Sequence, residues 1–142
     1  VPDDAILSAL IIAAKSGVDV RLMIPCKPDH PFVYWASYSY IWDLLEAGAR
    51  CFTYQNGFLH SKLVTADGLV ACCGTANLDI RSFQLNFEVN AVIYDQDTTG
   101  ELEKAFLKDI GQSKEITREL YAQRSLIVRL KEQVSRLLSP LL

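Results

Sequence analysis

Two short apolar runs, Leu63-Val64 and Leu69-Val70-Ala71-Cys72-Cys73, are separated by the turn-forming Ala66-Asp67-Gly68. Partly β-branched runs on either side of an Asp-Gly pair predict a hairpin. A hairpin constrains its flanks, because residues two apart on a strand share a face. His60 and Lys62, just ahead of the first run, are therefore predicted to project side by side. Gly74 should end the second strand and allow close backbone approach, with Thr75 and Asn77 adding a hydroxyl and an amide to the same rim. The spacing is H-x-K-x4-D-x6-G-T-x-N. It sets an imidazole able to attack phosphorus beside an ammonium and neutral donors able to hold a non-bridging oxygen, which is equipment for phosphoryl transfer.

The stretch from Phe58 to Glu88 resembles the HKD motif of the phospholipase D superfamily. Its continuation, Ala76-Asn77-Leu78-Asp79-Ile80-Arg81-Ser82-Phe83 and Asn86-Phe87-Glu88-Val89-Asn90, is similar to the second such motif of bacterial cardiolipin synthases. The likeness runs from Ala5-Ile6-Leu7 through Ser16-Gly17-Val18-Asp19-Val20-Arg21 and Leu44-Leu45-Glu46-Ala47-Gly48-Ala49 to the final Leu137-Leu138-Ser139-Pro140-Leu141-Leu142. A lone H-x-K arises often by chance; six positions at fixed gaps do not.

The resemblance implies roles residue by residue. His60 would be nucleophile or general acid. Lys62, Asn77 and Thr75 would hold the phosphate oxygens, Thr75 as the small hydroxyl residue beside the other two. Asp67 and Gly74 would be structural. Glu88, which by itself reads as a solvated strand-edge charge, would accept a hydrogen bond from the imidazole and hold its tautomer. It further implies two displacements at one phosphorus through a phosphatidyl-histidine, making cardiolipin and glycerol from two molecules of phosphatidylglycerol. No nucleotide, cofactor or metal is expected, and two histidines without clustered Cys/His spacing offer no metal-ligand pattern. Such enzymes carry membrane-spanning helices and a first HKD motif ahead of a region like this one. The expectation is therefore a soluble C-terminal half-site of a bacterial cell-membrane enzyme, completed by an N-terminal HKD half or by a second copy. Two other readings stay open: a homodimeric HKD phosphodiesterase or nuclease, and a half domain inert on its own.

Length and composition allow one domain: 142 residues at 50% hydrophobic content suffice for a single buried core. Cysteines 26, 51, 72 and 73 make no C-x-x-C pair, which suits a reducing compartment; the adjacent pair reads as small core residues on opposite faces of a strand. Residues 1–117 carry 9 Lys/Arg against 15 Asp/Glu, a net −6, and residues 118–142 carry 5 against 2, a net +3. An acidic body argues against nucleic acid, and a basic tail suits an anionic membrane surface. The expected division is a PLD-like domain over 1–117 and a basic amphipathic helical extension over 118–142.

Element by element, Asp3 or Asp4 should cap a helix running to about Ser16, with Gly17 ending it. Its apolar stretch is about half the length needed to span a bilayer. Val18 to Ile24 reads as a buried strand. The prolines of Pro25–Pro31 predict a loop whose Lys27 and His30 are candidates for the substrate rim. Phe32 to Ala47 reads as one helix whose aromatics mostly serve core packing, with Tyr34 and Tyr40 off its main stripe and open to an interfacial aromatic belt or to docking against a missing half. A strand over Arg50–Tyr54, the hairpin, a strand over Val89–Tyr94, a helix over Thr98–Ile110 and a helical region from Glu115 complete the chain. The alternation predicts an α/β layered sandwich, a mixed and mostly buried sheet with helices on both faces.

Overall fold

A computed structural model describes residues 2–26 and 31–137, so Lys27 and His30 lie outside the described residues. Helix α1 (Asp4–Lys15) opens on the expected cap: Asp3 Oδ1 accepts from the amides of Ala5 at 2.9 Å and Ile6 at 3.4 Å. Gly17, at φ 90, carries the chain out of the helix. Strand β1 (Arg21–Pro25) then pairs in parallel with β2 (Arg50–Tyr54).

Between these strands the expected single helix is two, α2 (Pro31–Ser39) and α3 (Ile41–Ala47). The break has a local cause. The buried Ser39 hydroxyl donates to Ala36 O at 2.6 Å, and the Tyr40 amide bonds Ser37 O, three residues back. Side-chain back-bonding of this kind competes with the helical ladder. Gly48, at φ 97, ends α3 in the left-handed conformation, and the amides of Gly48 and Ala49 bond Leu45 O and Leu44 O.

The core gathers Leu7, Tyr40, Ile41, Leu44, Cys51 and Ile116 among others. Cys51 is fully buried, and burial pushes its thiol up to about 12. Phe52, next along and so on the opposite face, is buried too; β2 is covered on both sides. The adjacent cysteines fare differently from expectation, since Cys72 and Cys73 are only half-buried. Tyr34 stacks on Tyr38 and Tyr38 on Tyr121, and Tyr40 is a core residue. Tyr34 thus packs against a neighbouring ring and Tyr40 within the core.

The third strand of this sheet has only a weak local signal. β6 (Ser113–Ile116) lies antiparallel to β2, where the sequence suggested the start of a helical region. Four mostly polar residues show no clear period. What places them is the partner strand: Arg50 grips Glu115 with two bonds, of 2.9 and 3.1 Å, and Thr53 donates to Lys114 O.

The remaining strands form a second sheet, ordered β3 (Leu63–Ala66), β4 (Val70–Gly74), β5 (Asn90–Ile93) and antiparallel throughout. Asp67 and Gly68 turn the β3–β4 hairpin at φ 55 and 63, with the Leu69 amide on Ala66 O, the geometry for which Asp-Gly is favoured. Helix α5 (Gln96–Ile110), capped by Asp95, packs on strands of both sheets. The α/β architecture is thus as expected, with the strands divided into two three-stranded sheets. The second is covered by α5, while its cross-strand row Val64–Cys72–Val92 stays open, Val64 and Val92 being about half exposed.

Short helices α4 (Ile80–Gln84) and α6 (Arg118–Ala122) and the longer α7 (Leu126–Leu137) complete the fold. Arg118 anchors α6 by donating to Leu45 O and Glu46 O at the end of α3, and α7 packs along α2. No helix among the described residues is long and apolar enough to cross a membrane.

Candidate active site

His60 and Lys62 stand just ahead of β3 instead of within it. The His60 ring is exposed and stacks against Phe58 at 5.7 Å. Lys62 is half-buried, and its Nζ donates to His60 O at 3.0 Å. That bond occupies one of the ammonium's three protons and ties the cation to the backbone that carries the imidazole. The strand is extended across the gap by the Gly74 amide bonding Lys62 O at 3.3 Å.

Gly74 is where the two halves of the motif meet. A Cβ built there would run into Val89 O and Asn90 Oδ1 and come within 2.7 Å of Asn90 Cα. Only glycine lets β5 approach this closely. Beyond it Thr75 is bonded to Val89 in both directions: its amide donates to Val89 O at 3.0 Å, and its hydroxyl accepts from the Val89 amide at 2.9 Å. Ala76 N donates to Asn90 Oδ1. Asn77 follows, its amide held by Ser82 Oγ at 3.1 Å. Ser82 is held in turn by Asp79, the N-cap of α4, which accepts from the Ser82 amide at 2.8 Å. The chain start is pinned to this same loop, through a Pro2–Asp79 bridge and Asp3 N on Leu78 O.

Glu88 lies among hydroxyl and amide donors. The Thr75 hydroxyl, followed by Asn86 and Ser82, holds its carboxyl below the usual carboxylate range; the Ser82 and Asn86 contacts are 3.3 and 3.2 Å. The group is anionic at neutral pH.

A cavity of about 630 Å³ brings His60, Lys62 and Asn77 together, along with Asn90. Its walls include β1 and β3, which are edge strands of their sheets among the described residues. Thr75 and Glu88 lie outside that lining, joined to it through Ser82 and Val89. Asp67 is remote from it, in the turn at the far end of β3, about 16 Å along the chain from Lys62. Chemically the arrangement offers an imidazole able to act as nucleophile or acid, a cation and an amide, with the Glu88 carboxylate linked to it through Ser82.

Sequence reasoning overlooked Ser82 and Asn90, the two side chains that tie this site together. Asp79-x-x-Ser82 is the pattern of a helix cap bonding the third residue on. That pattern was a signal for α4, though not for what the Ser82 hydroxyl would touch.

Residues 1–110 match the family model described as cardiolipin synthase, PLD-like domain. The chain belongs to that family. Among its relatives are cardiolipin synthase 1 of Staphylococcus epidermidis, 55% identical, and the cardiolipin synthase of Listeria monocytogenes, 58% identical, each aligned over the whole of this chain. The chain spans 29% and 30% of their lengths. A solved phospholipase D family member, Nuc from Salmonella typhimurium, shares the PLD-like fold at a TM-score of 0.71 with 21% identity, covering 82% of this chain and 76% of that one. In this cardiolipin synthase-type domain His60, Lys62, Asp67, Gly74, Thr75 and Asn77 therefore sit on a PLD-like scaffold.

Proposed function

We propose that this PLD-like domain supplies one half of the reacting centre of a bacterial cardiolipin synthase and acts on phosphatidylglycerol at a membrane. The observation that carries the reading is the convergence of His60, Lys62 and Asn77 on one cavity.

In this reading a histidine nitrogen attacks the phosphorus of one phosphatidylglycerol, the P–O bond to glycerol breaks, and the departing alkoxide takes a proton from a second histidine. A hydroxyl of another phosphatidylglycerol then gives its proton to that second histidine and attacks phosphorus. The P–N bond breaks and cardiolipin is released. One phosphodiester is exchanged for another, so no energy source is consumed. His60 occupies one of the two in-line positions. Lys62, with two protons left after its bond to His60 O, and Asn77 neutralise the equatorial oxygens. Glu88, kept anionic by its donors, orients the imidazole and stabilises its cation. Thr75 and Gly74 hold the β4 and β5 ends together, and Asp67 serves the hairpin turn.

The 142 residues contain one H-x-K-x4-D, yet in-line displacement needs a group on each side of phosphorus at once. The second histidine therefore comes from an N-terminal HKD half or from a second copy. The open apolar row Val64–Cys72–Val92 supports such docking.

A transplant tests the proposal. The matching 29% of the Staphylococcus epidermidis enzyme is replaced by this chain, and cardiolipin formation from phosphatidylglycerol is assayed. Activity that disappears with His60→Ala supports the reading. A folded, membrane-inserted chimera without activity overturns it, as does robust transphosphatidylation by a monomeric sample of the 142-residue chain.

A further inference from the structure

Helix α7 is packed inside out. At about 100° per residue, Val128, Glu132 and Ser135 fall on one side and Ile127, Leu130, Val134 and Leu137 on the opposite one. Amphipathic helices ordinarily bury the apolar side. Here Glu132 and Ser135 are buried, at 1% and 2% exposure, while Ile127, Leu130, Val134 and Leu137 are 68%, 66%, 46% and 82% exposed. The polar side is held by specific contacts: Glu132 pairs with Arg124 at 3.1 Å, and the Arg124 guanidinium lies over the Tyr121 ring.

We propose that α7 is a membrane-contact helix whose outward aliphatic arc enters the surface of an anionic bilayer. The charges select this occupant. Glu132 is the helix's one acid and is turned inward, so the charges α7 exposes are Arg129, Lys131 and the partly exposed Arg136, the last paired with Asp43 at 3.3 Å. Two of them are held at the rim of the arc, Arg129 on Ala122 O and Lys131 over the Trp35 ring at 5.6 Å. A second copy meeting arc to arc would bring these cations against their own kind. An anionic lipid surface instead accepts the aliphatic side chains between its headgroups and pairs with the rim, the pattern of an interfacial helix.

The inference does not depend on the chemistry at His60, because binding is read without turnover. The 142-residue chain is sedimented with phosphatidylglycerol and with phosphatidylcholine vesicles. It should bind the anionic ones at least about tenfold more tightly. Leu130→Gln with Val134→Gln, checked for folding by circular dichroism, should weaken binding about tenfold or more. Arg129→Gln with Lys131→Gln should reduce its salt dependence. Equal binding to both lipids, or unchanged binding by the Leu130/Val134 pair, overturns the proposal. So does a concentration-dependent dimer that this pair abolishes while vesicle binding is absent.

Discussion

The Ser82 hydroxyl donates to Glu88 Oε1 at 3.3 Å while accepting the Asn77 amide at 3.1 Å. One small side chain thus couples the Asn77 loop to the Glu88 carboxylate. In the transplanted enzyme, Ser82→Ala should lower turnover at least threefold, as should Glu88→Gln; threefold is about 0.65 kcal/mol of barrier. Donors depress the Glu88 carboxyl, so losing one raises it, and the acid limb of the Ser82→Ala pH–rate profile should move to higher pH. An unmoved limb with a merely lowered plateau would assign Ser82 to folding alone.

Gly74→Ala tests the close approach of β4 and β5. The new methyl meets backbone at Val89 and Asn90, which cannot yield as a flexible side chain does. Overpacking of about 1–3 kcal/mol should lower the thermal midpoint by roughly 4–12 °C. A midpoint within a degree of the parent would show that the strand ends give way.

Arg118 places three donor contacts on the last carbonyls of α3. Arg118→Met keeps much of the side-chain packing and removes those bonds, and should cost about 1.5–3 kcal/mol in chemical denaturation. An unchanged denaturation midpoint would mean that water replaces the guanidinium there.

The Arg50–Glu115 pair should matter far less, although its geometry is good. Both side chains are nearly half exposed, and such pairs are screened. Arg50 holds the Glu115 carboxyl below its usual range. Its stabilisation is therefore present above the ordinary glutamate range and is lost as pH falls through the depressed value. Glu115→Gln at neutral pH should shift the thermal midpoint by less than about 2 °C, with the difference from the parent vanishing in acid. A larger shift would make the pair a main support of β6.

The chain by itself determined what rests on neighbours in sequence. The Asp3 cap, the Asp67-Gly68 turn and the strand at Arg50–Tyr54 are set by local sterics and short-range bonds, so residue type and spacing revealed them. The spacing of His60, Lys62 and Asn77 likewise pointed to a single site, and one cavity brings the three together. Tertiary structure decided the rest. β6 is a strand because β2 supplies its partners, across 61 to 65 positions of chain in the Arg50–Glu115 and Thr53–Lys114 contacts. Ser82 reaches Glu88 because α4 and the β5 approach bring them together, and α7 presents its aliphatic side outward because Arg124, seated over the Tyr121 ring, pairs with Glu132. An amphipathic pattern defines two faces; which face turns inward depends on partners that lie elsewhere in the chain.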